Sequence, residues 1–187
     1  MKEKLREHIE KVVPITNDEF TFIASHFSIK KYKKNDFLIQ KGKSVLYCYF
    51  VISGLLKLVY DDKGGKQHIV SFAMEDWWES DFLAYFTQTK AKMSLQCIED
   101  TEVFCISLKD YQKLSDGLPK MESFFLKKSN AGHIAAQNRI LSFLTSNAKE
   151  RYVQLLKQNP SLFQRVPKTL LASYLGVTRE TLSRFSS

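Results

Sequence analysis

Apolar residues recur along this 187-residue chain with different periods in different stretches. Near the start, Leu5, Ile9, Val12 and Val13 follow helical spacing, which predicts a surface helix closed by Pro14. TNDEFTFIASHFS, residues 16–28, predicts a second short helix, capped by Thr16 or Asn17 with Glu19 in its first turn. From Ile29 the pattern becomes short and rich in Val, Ile, Tyr and Phe: DFLIQKG, LYCYFVISG, LLKLVYD, QHIVSFAM, KMSLQCIED and EVFCISL. Gly42, Gly54, the run Asp61-Asp62-Lys63-Gly64-Gly65 and Glu99-Asp100 punctuate these pieces. Strands at such regular spacing predict an antiparallel sandwich or barrel, with DDKGG as a hairpin tip. DWWESDFLAYF, residues 76–86, interrupts them with a turn of helix or a tight loop.

After Lys109-Asp110-Tyr111 the helical period returns, and Pro119 opens a long helix that runs to about Leu144. Ala131, Ile134, Asn138 and Leu141 lie on it at 3-4-3 spacing, a narrow seam of the coiled-coil kind in which Asn138 would fix register between two copies. A helix packed on its own domain explains the same stripe, so the pattern leaves both readings open. AKERYVQLLKQ, residues 148–158, predicts another amphipathic helix, ended by Asn159-Pro160.

The last stretch, LASYLGVTRETLSRFSS, is dense with local signals. Leu171, Ala172 and Leu175 form the inward face of one helix, and the small Ala172 permits a close neighbour. Gly176 supplies a tight turn, Val177 plugs the space between helices, and Thr178 caps the next one. Leu182 then faces inward, leaving Arg179, Glu180, Ser183 and Arg184 outside. The pattern is a helix-turn-helix, whose second helix carries the groups that read a major groove. Arginine can grip guanine O6 and N7 together, and glutamate can accept from cytosine N4.

Charge sharpens this picture. The net charge is +8, yet residues 1–118 hold 17 basic and 17 acidic side chains. The remaining residues hold 11 basic groups against Glu122, Glu150 and Glu180, so the whole excess lies beside the helix-turn-helix. That asymmetry suits a polyanion partner. The odd cysteines Cys48, Cys97 and Cys105 contain no CxxC pair, which points to free buried thiols in a reducing compartment. No apolar run reaches the ~20 residues that span a bilayer, and the charged N-terminus lacks a signal-peptide core. A cytoplasmic protein without membrane contact is expected.

The stretch ASYLGVTRETLSRF resembles the DNA-binding signature of the Crp/Fnr family of bacterial transcription regulators. The resemblance extends over nearly the whole chain: residues 15–115 are similar to a cyclic-nucleotide-binding β-roll, through the rhythm of strands, Gly42, Gly54 and IEDTEVFCIS. It implies an α+β fold with an antiparallel β-roll and N-terminal helices over residues 1–116. A long dimerisation helix over 117–145 and a winged-helix-type helix-turn-helix domain over 146–187 would follow. It also implies a homodimer on a two-fold symmetric double-stranded DNA site, with 178–185 as recognition helix and RNA polymerase as a further partner. By position, Arg179, Glu180 and Arg184 would read bases, with Arg184 facing the groove floor. Thr178, Thr181 and Ser183 would contact phosphates, joined by Lys168.

The sequence departs from that family at two places. Members that bind cyclic nucleotides hold the phosphate with an Arg-Ser pair and the ribose with a Glu. Here Asp81 stands in the ribose position, and Lys90, Ala91 and Lys92 stand where the arginine should lie. Lysine lacks the bidentate fork, so weak or no binding of cyclic AMP is expected from an effector pocket built on Asp81, Lys90 and Lys92. No cofactor is identified: three cysteines cannot supply the four thiolates of an iron–sulfur cluster, and His8, His26, His68 and His133 stand singly, a weak basis for haem. Phe72, Trp77, Trp78, Phe82, Tyr85 and Phe86 are read as core. The second departure is the short segment Phe185-Ser186-Ser187 after the recognition helix, whose terminal carboxylate is expected to weaken phosphate contacts. The alternative reading is a ligand-binding or protein-interaction roll with a weakened DNA-binding domain. An enzyme on a cupin-like roll lacks clustered His and carboxylate ligands.

Overall fold

A computed structural model describes residues 2–185. Helix α1 (Lys2–Glu10) and helix α2 (Asn17–Ser25) lead the chain. Helix α1 lies at the surface with one face inward: Lys2, Glu3, Lys4, Glu7 and Glu10 are exposed, while Leu5 and Ile9 are fully buried and His8 nearly so. Its apolar stripe was legible, but its cover comes from residues far along the chain. Thr16 caps α2 in a reciprocal box with Glu19, the Glu19 N–H donating to Thr16 Oγ1 (3.2 Å) and the Thr16 N–H to Glu19 Oε2 (2.7 Å).

Two four-stranded antiparallel sheets form the roll. One has the order β1 (Ser28–Tyr32), β8 (Thr101–Ile106), β3 (Cys48–Ser53), β6 (Trp78–Glu79). The other has the order β2 (Phe37–Ile39), β7 (Ser94–Cys97), β4 (Leu56–Asp61), β5 (Gln67–Ala73). Strands β1 and β6 lie outside the six segments that hydrophobic pattern marks out. The first is mostly polar, SIKKY, and the second has two residues. At Gly54 φ is 105°, and a Cβ there would sit 2.6 Å from the Asp100 carbonyl oxygen, so the turn between β3 and β4 requires glycine. Helix α3 (Phe82–Thr87) interrupts the strands, and α4 (Leu108–Gly117) leads into the 27-residue α5 (Pro119–Thr145).

The alternation of β4 divides the interior. Leu56 and Leu58 point into the roll and join Phe50, Leu95, Phe104, α1 and the base of α5 in the main core. Leu55 and Val59, with Ile69, Phe72 and Ile98, face the other way. Over that outer face lie α6 (Ala148–Gln158), α7 (Pro160–Arg165), α8 (Lys168–Leu175) and α9 (Arg179–Phe185). They contribute Leu155, Leu162, Val166, Leu171, Ala172, Leu175 and Leu182 to a second core. The C-terminal helices are therefore docked on the roll. Each large aliphatic side chain so buried is worth about 1.5–3 kcal/mol. Carbonyls of edge strand β5 are taken up by side chains of α8 and α5: Ser173 Oγ donates to Gln67 O (3.2 Å) and Arg139 Nη2 to Ile69 O (3.2 Å). All described residues after Ile106 are helical or in turns. No helix among the described residues is long and apolar enough to cross a membrane.

Candidate nucleic-acid interface

The α8–α9 turn is built by three residues. Gly176 takes φ 71° and ends α8. Its hydrogen lies where a Cβ would press to 3.1 Å from the Phe143 ring. Val177 follows, its N–H donating to Ala172 O (2.9 Å), and Thr178 Oγ1 accepts from the Thr181 N–H (3.2 Å) at the start of α9. Leu182 is buried in the second core, which turns the opposite face of α9 outward. Arg179, Glu180, Ser183 and Arg184 are exposed there, and Thr178 beside them. Lys168 is exposed at the first position of α8. Thr181 is only half-exposed, and its hydroxyl lies 3.1 Å from Thr178 Oγ1 while accepting from Arg184 Nη2 (3.5 Å). The Glu180 carboxyl is held below its ordinary range by its own backbone N–H and by the Thr178 hydroxyl. The segment after α9, residues 186–187, on which the expectation of weakened phosphate contacts rests, lies outside the described residues.

The basic excess is not all available to a polyanion. Five arginines follow residue 118, and three of them are bonded inside the protein. Arg139 donates to Tyr174 O (3.1 Å) and stacks over the Tyr174 ring at 3.6 Å. Arg151 donates to Ser146 O (2.6 Å) and to Leu175 O (3.1 Å), capping the end of α8. Arg165 binds carboxylates of the roll. Arg179 and Arg184 are the two that face outward. Counting charge in the sequence overstates the surface that duplex DNA would meet, because a count cannot distinguish a guanidinium in solvent from one against a carbonyl.

Of the three residues expected in an effector pocket, Asp81 is buried while Lys90 and Lys92 are exposed. The Asp81 carboxylate accepts from the backbone N–H groups of Ala84 (3.3 Å), Lys92 (2.8 Å) and Met93 (3.1 Å). It caps α3 and ties that helix to the start of β7. Lys90 is exposed with Nζ 3.4 Å from Ser44 Oγ, Lys92 is exposed, and Ala91 between them is buried. The aromatic group also divides. Phe72, Tyr85 and Trp78 pack inside, whereas Trp77, Phe82 and Phe86 are exposed and are no part of the core. Two interior acid–base groups escaped sequence reasoning. Glu79 on β6 is buried, accepts from Ser71 Oγ on β5 (2.5 Å) and from the Ser80 N–H (3.1 Å), and is pushed up to about 7 by burial. His8 Nε2 accepts from the Trp78 indole N–H (3.1 Å), and burial, then the Lys128 charge, lower its pKa to about 4. The thiols of Cys48, Cys97 and Cys105 are free, buried, and raised chiefly by burial.

After Phe125 no described residue of helix α5 is buried. Ala131, Ile134, Asn138 and Leu141 are all exposed. The exposed apolar face is wider than that seam: Leu126 (60%), Ile140 (60%) and Leu144 (77%) join Ile134 (57%) and Leu141 (54%). Leu126, His133, Ile140 and Leu144 repeat at 7-7-4 spacing, one position before the seam first read, so both rows present one broad face. Arg139 and Phe143 lie on the opposite side, toward the C-terminal helices.

Residues 29–117 match the family described as Cyclic nucleotide-binding domain. The transcriptional regulatory protein btr of Bordetella pertussis is 27% identical over 151 residues, covering 74% of this chain and 61% of that protein, under two thirds of its length. The cAMP-activated global transcriptional regulator CRP of Salmonella typhimurium is 21% identical over 91% of this chain and 86% of its own. Among solved structures, FixK2 from Bradyrhizobium japonicum superposes with a TM-score of 0.72 at 17% identity, over 86% of this chain and 82% of that one, and so shares the fold. With a cyclic nucleotide-binding domain over residues 29–117, a long helix and a C-terminal helix-turn-helix in this order, the chain is similar to the transcription regulators of the Crp/Fnr family.

Proposed function

We propose that the protein is a homodimer that regulates transcription by reading a two-fold symmetric duplex site, with α9 as recognition helix in each half-site. The observation that carries this reading is the division of α9 by Leu182, which sinks into the second core and turns Arg179, Glu180, Ser183 and Arg184 outward together. Arg184 and Arg179 take guanine edges, Glu180 takes a cytosine amine, and Lys168, Thr178 and Ser183 contact phosphates. The exposed face of α5 supports self-association, since five large apolar side chains there lack cover in one chain. RNA polymerase is a further partner on this reading.

The effector is not cyclic AMP. The Salmonella relative is cAMP-activated, but here Asp81 is used by three backbone amides and a buried alanine separates the two lysines. Neither group is arranged to hold a ribose or to grip a phosphate by two bonds. Titration calorimetry with cyclic AMP should give no heat below the millimolar range; micromolar binding would overturn this part. For DNA, the purified protein is offered fragments of its source genome at low and near-physiological salt. Enrichment of one two-fold symmetric motif at both salts is the supporting result. Salt-sensitive retention without a motif would favour a roll that binds a ligand or protein and grips DNA weakly.

A further inference from the structure

We infer that Arg165 is a positioning residue for DNA reading: it fixes the angle of the helix-turn-helix on the β-roll by gripping three separate turns of the roll at once. The inference rests on the DNA-binding reading above. Arg165 is the last residue of α7. Its Nε and Nη2 donate to Glu99 (3.1 and 2.7 Å), its Nη1 and Nη2 to Glu75 (2.7 and 3.0 Å), and Nη2 also to Gly54 O (3.0 Å). Glu99 belongs to the turn between β7 and β8, Glu75 to the connection from β5 to β6, and Gly54 to the turn between β3 and β4. Glu75 is in turn fixed by accepting from the Gly54 N–H (2.8 Å).

Two kinds of contact hold the C-terminal helices, and they do different work. The second core is apolar, and burial of that kind is nearly indifferent to the direction in which surfaces slide. Two carboxylates held bidentately by one planar fork define both a distance and a plane. The link from Arg165 to α8 is short and stiff: Val166 is buried, and Pro167 follows directly with a fixed φ. A tilt of α7 is therefore carried through α8 and the Gly176 turn into α9. In a dimer, the tilt of each α9 sets the separation between half-sites, which must match about one helical turn, roughly 34 Å.

The test uses the full-length protein and random duplexes. Wild type should select two half-sites at one separation. Arg165→Lys keeps the charge and loses the fork, so it should select the same half-site sequence at dispersed separations. It should also bind the wild-type site at least tenfold more weakly. Glu75→Gln, which leaves the Glu99 pair in place, should show the same change in smaller degree and serves if Arg165→Lys fails to fold. Hydrogen exchange supplies a readout without DNA: amides of α7 and of the three turns should lose protection in the variants, while β3 and β8 keep theirs. Selection of the single wild-type separation at wild-type affinity by both variants would overturn the inference. If wild type selects no motif, the DNA reading falls by itself, and unchanged exchange in α7 would then overturn the clamp separately.

Discussion

Glu79 offers the sharpest test of the interior. The perturbation is Glu79→Gln, which keeps the shape and the ability to bond Ser71 and Ser80 but removes the titration. In the folded protein burial pushes the Glu79 carboxyl up from 4.5 to about 7. A proton on Glu79 thus favours the folded state. That contribution is complete below pH 4.5 and is lost as pH rises through about 7. At 1.36 kcal/mol per pH unit the loss is about 3 kcal/mol. His8 runs the other way: its pKa is lowered from 6.5 to about 4, so its contribution is complete above 6.5 and lost as pH falls through 4. Between pH 4.5 and 6.5 the two slopes oppose each other, and wild type should show little dependence from this pair. In Glu79→Gln the His8 slope stands alone. The assay is thermal or urea unfolding of both proteins from pH 4 to 8. Their difference isolates Glu79: near zero at pH 4.5, rising to about 3 kcal/mol in favour of the variant at pH 7 and above. At roughly 2–4 °C per kcal/mol for a chain of this size, that is on the order of 6–12 °C. A variant whose curve parallels that of wild type, or which is less stable than wild type at pH 8, would refute the reasoning.

Arg184→Ala should relax selection at one base position in each half-site at a cost of about 1–3 kcal/mol, read from binding to a panel of singly substituted duplexes. Ile140→Ser combined with Leu144→Ser should lower the sedimentation mass toward that of one chain without reducing helicity, because neither side chain touches its own roll; an unchanged mass would show that another surface holds the dimer. Asp81→Ala takes the acceptor away from the backbone N–H groups of buried Ala84, half-buried Met93 and exposed Lys92, and should lower stability in urea unfolding by about 1–3 kcal/mol for each group left unpaired away from water. Gly176→Ala must place a Cβ at φ 71° against Phe143 and should lower the melting temperature by several degrees, whereas Gly132→Ala, at an open position inside α5, should raise it.

How far the sequence reveals each part depends on how local its cause is. Gly176, Thr178 and Leu182 act within a few residues of one another, so the helix-turn-helix and the outward face of α9 could be read directly. The α2 cap, Thr16 with Glu19, is legible for the same reason. Helix α1 showed its stripe but not its partners, since Leu5 and Ile9 share a core with residues of β3, β8 and the base of α5, far along the chain. Asp81 was read from its place in a resemblance, while its bonds to the amides of Lys92 and Met93 depend on the fold that brings them to it. The arginines show the same limit: Arg165 and Arg179 look alike in a charge count, and only the positions of Glu75 and Glu99 separate them. On α5 the narrow seam was visible, while the breadth of the face depends on how much of the helix the roll leaves uncovered.

The second core has a consequence for how the protein is made. Its roll half, Leu55, Val59, Ile69, Phe72 and Ile98, is synthesised before its helical half, which starts at Leu155. At roughly 5–20 residues per second, several seconds pass in which the outer sheet face lies bare beside an unguarded strand edge at β5. Such a surface is a template for pairing with other nascent chains. A fragment ended after α5 would keep that state permanently, and its yield in soluble form should fall sharply unless a chaperone or a grafted helix covers the face.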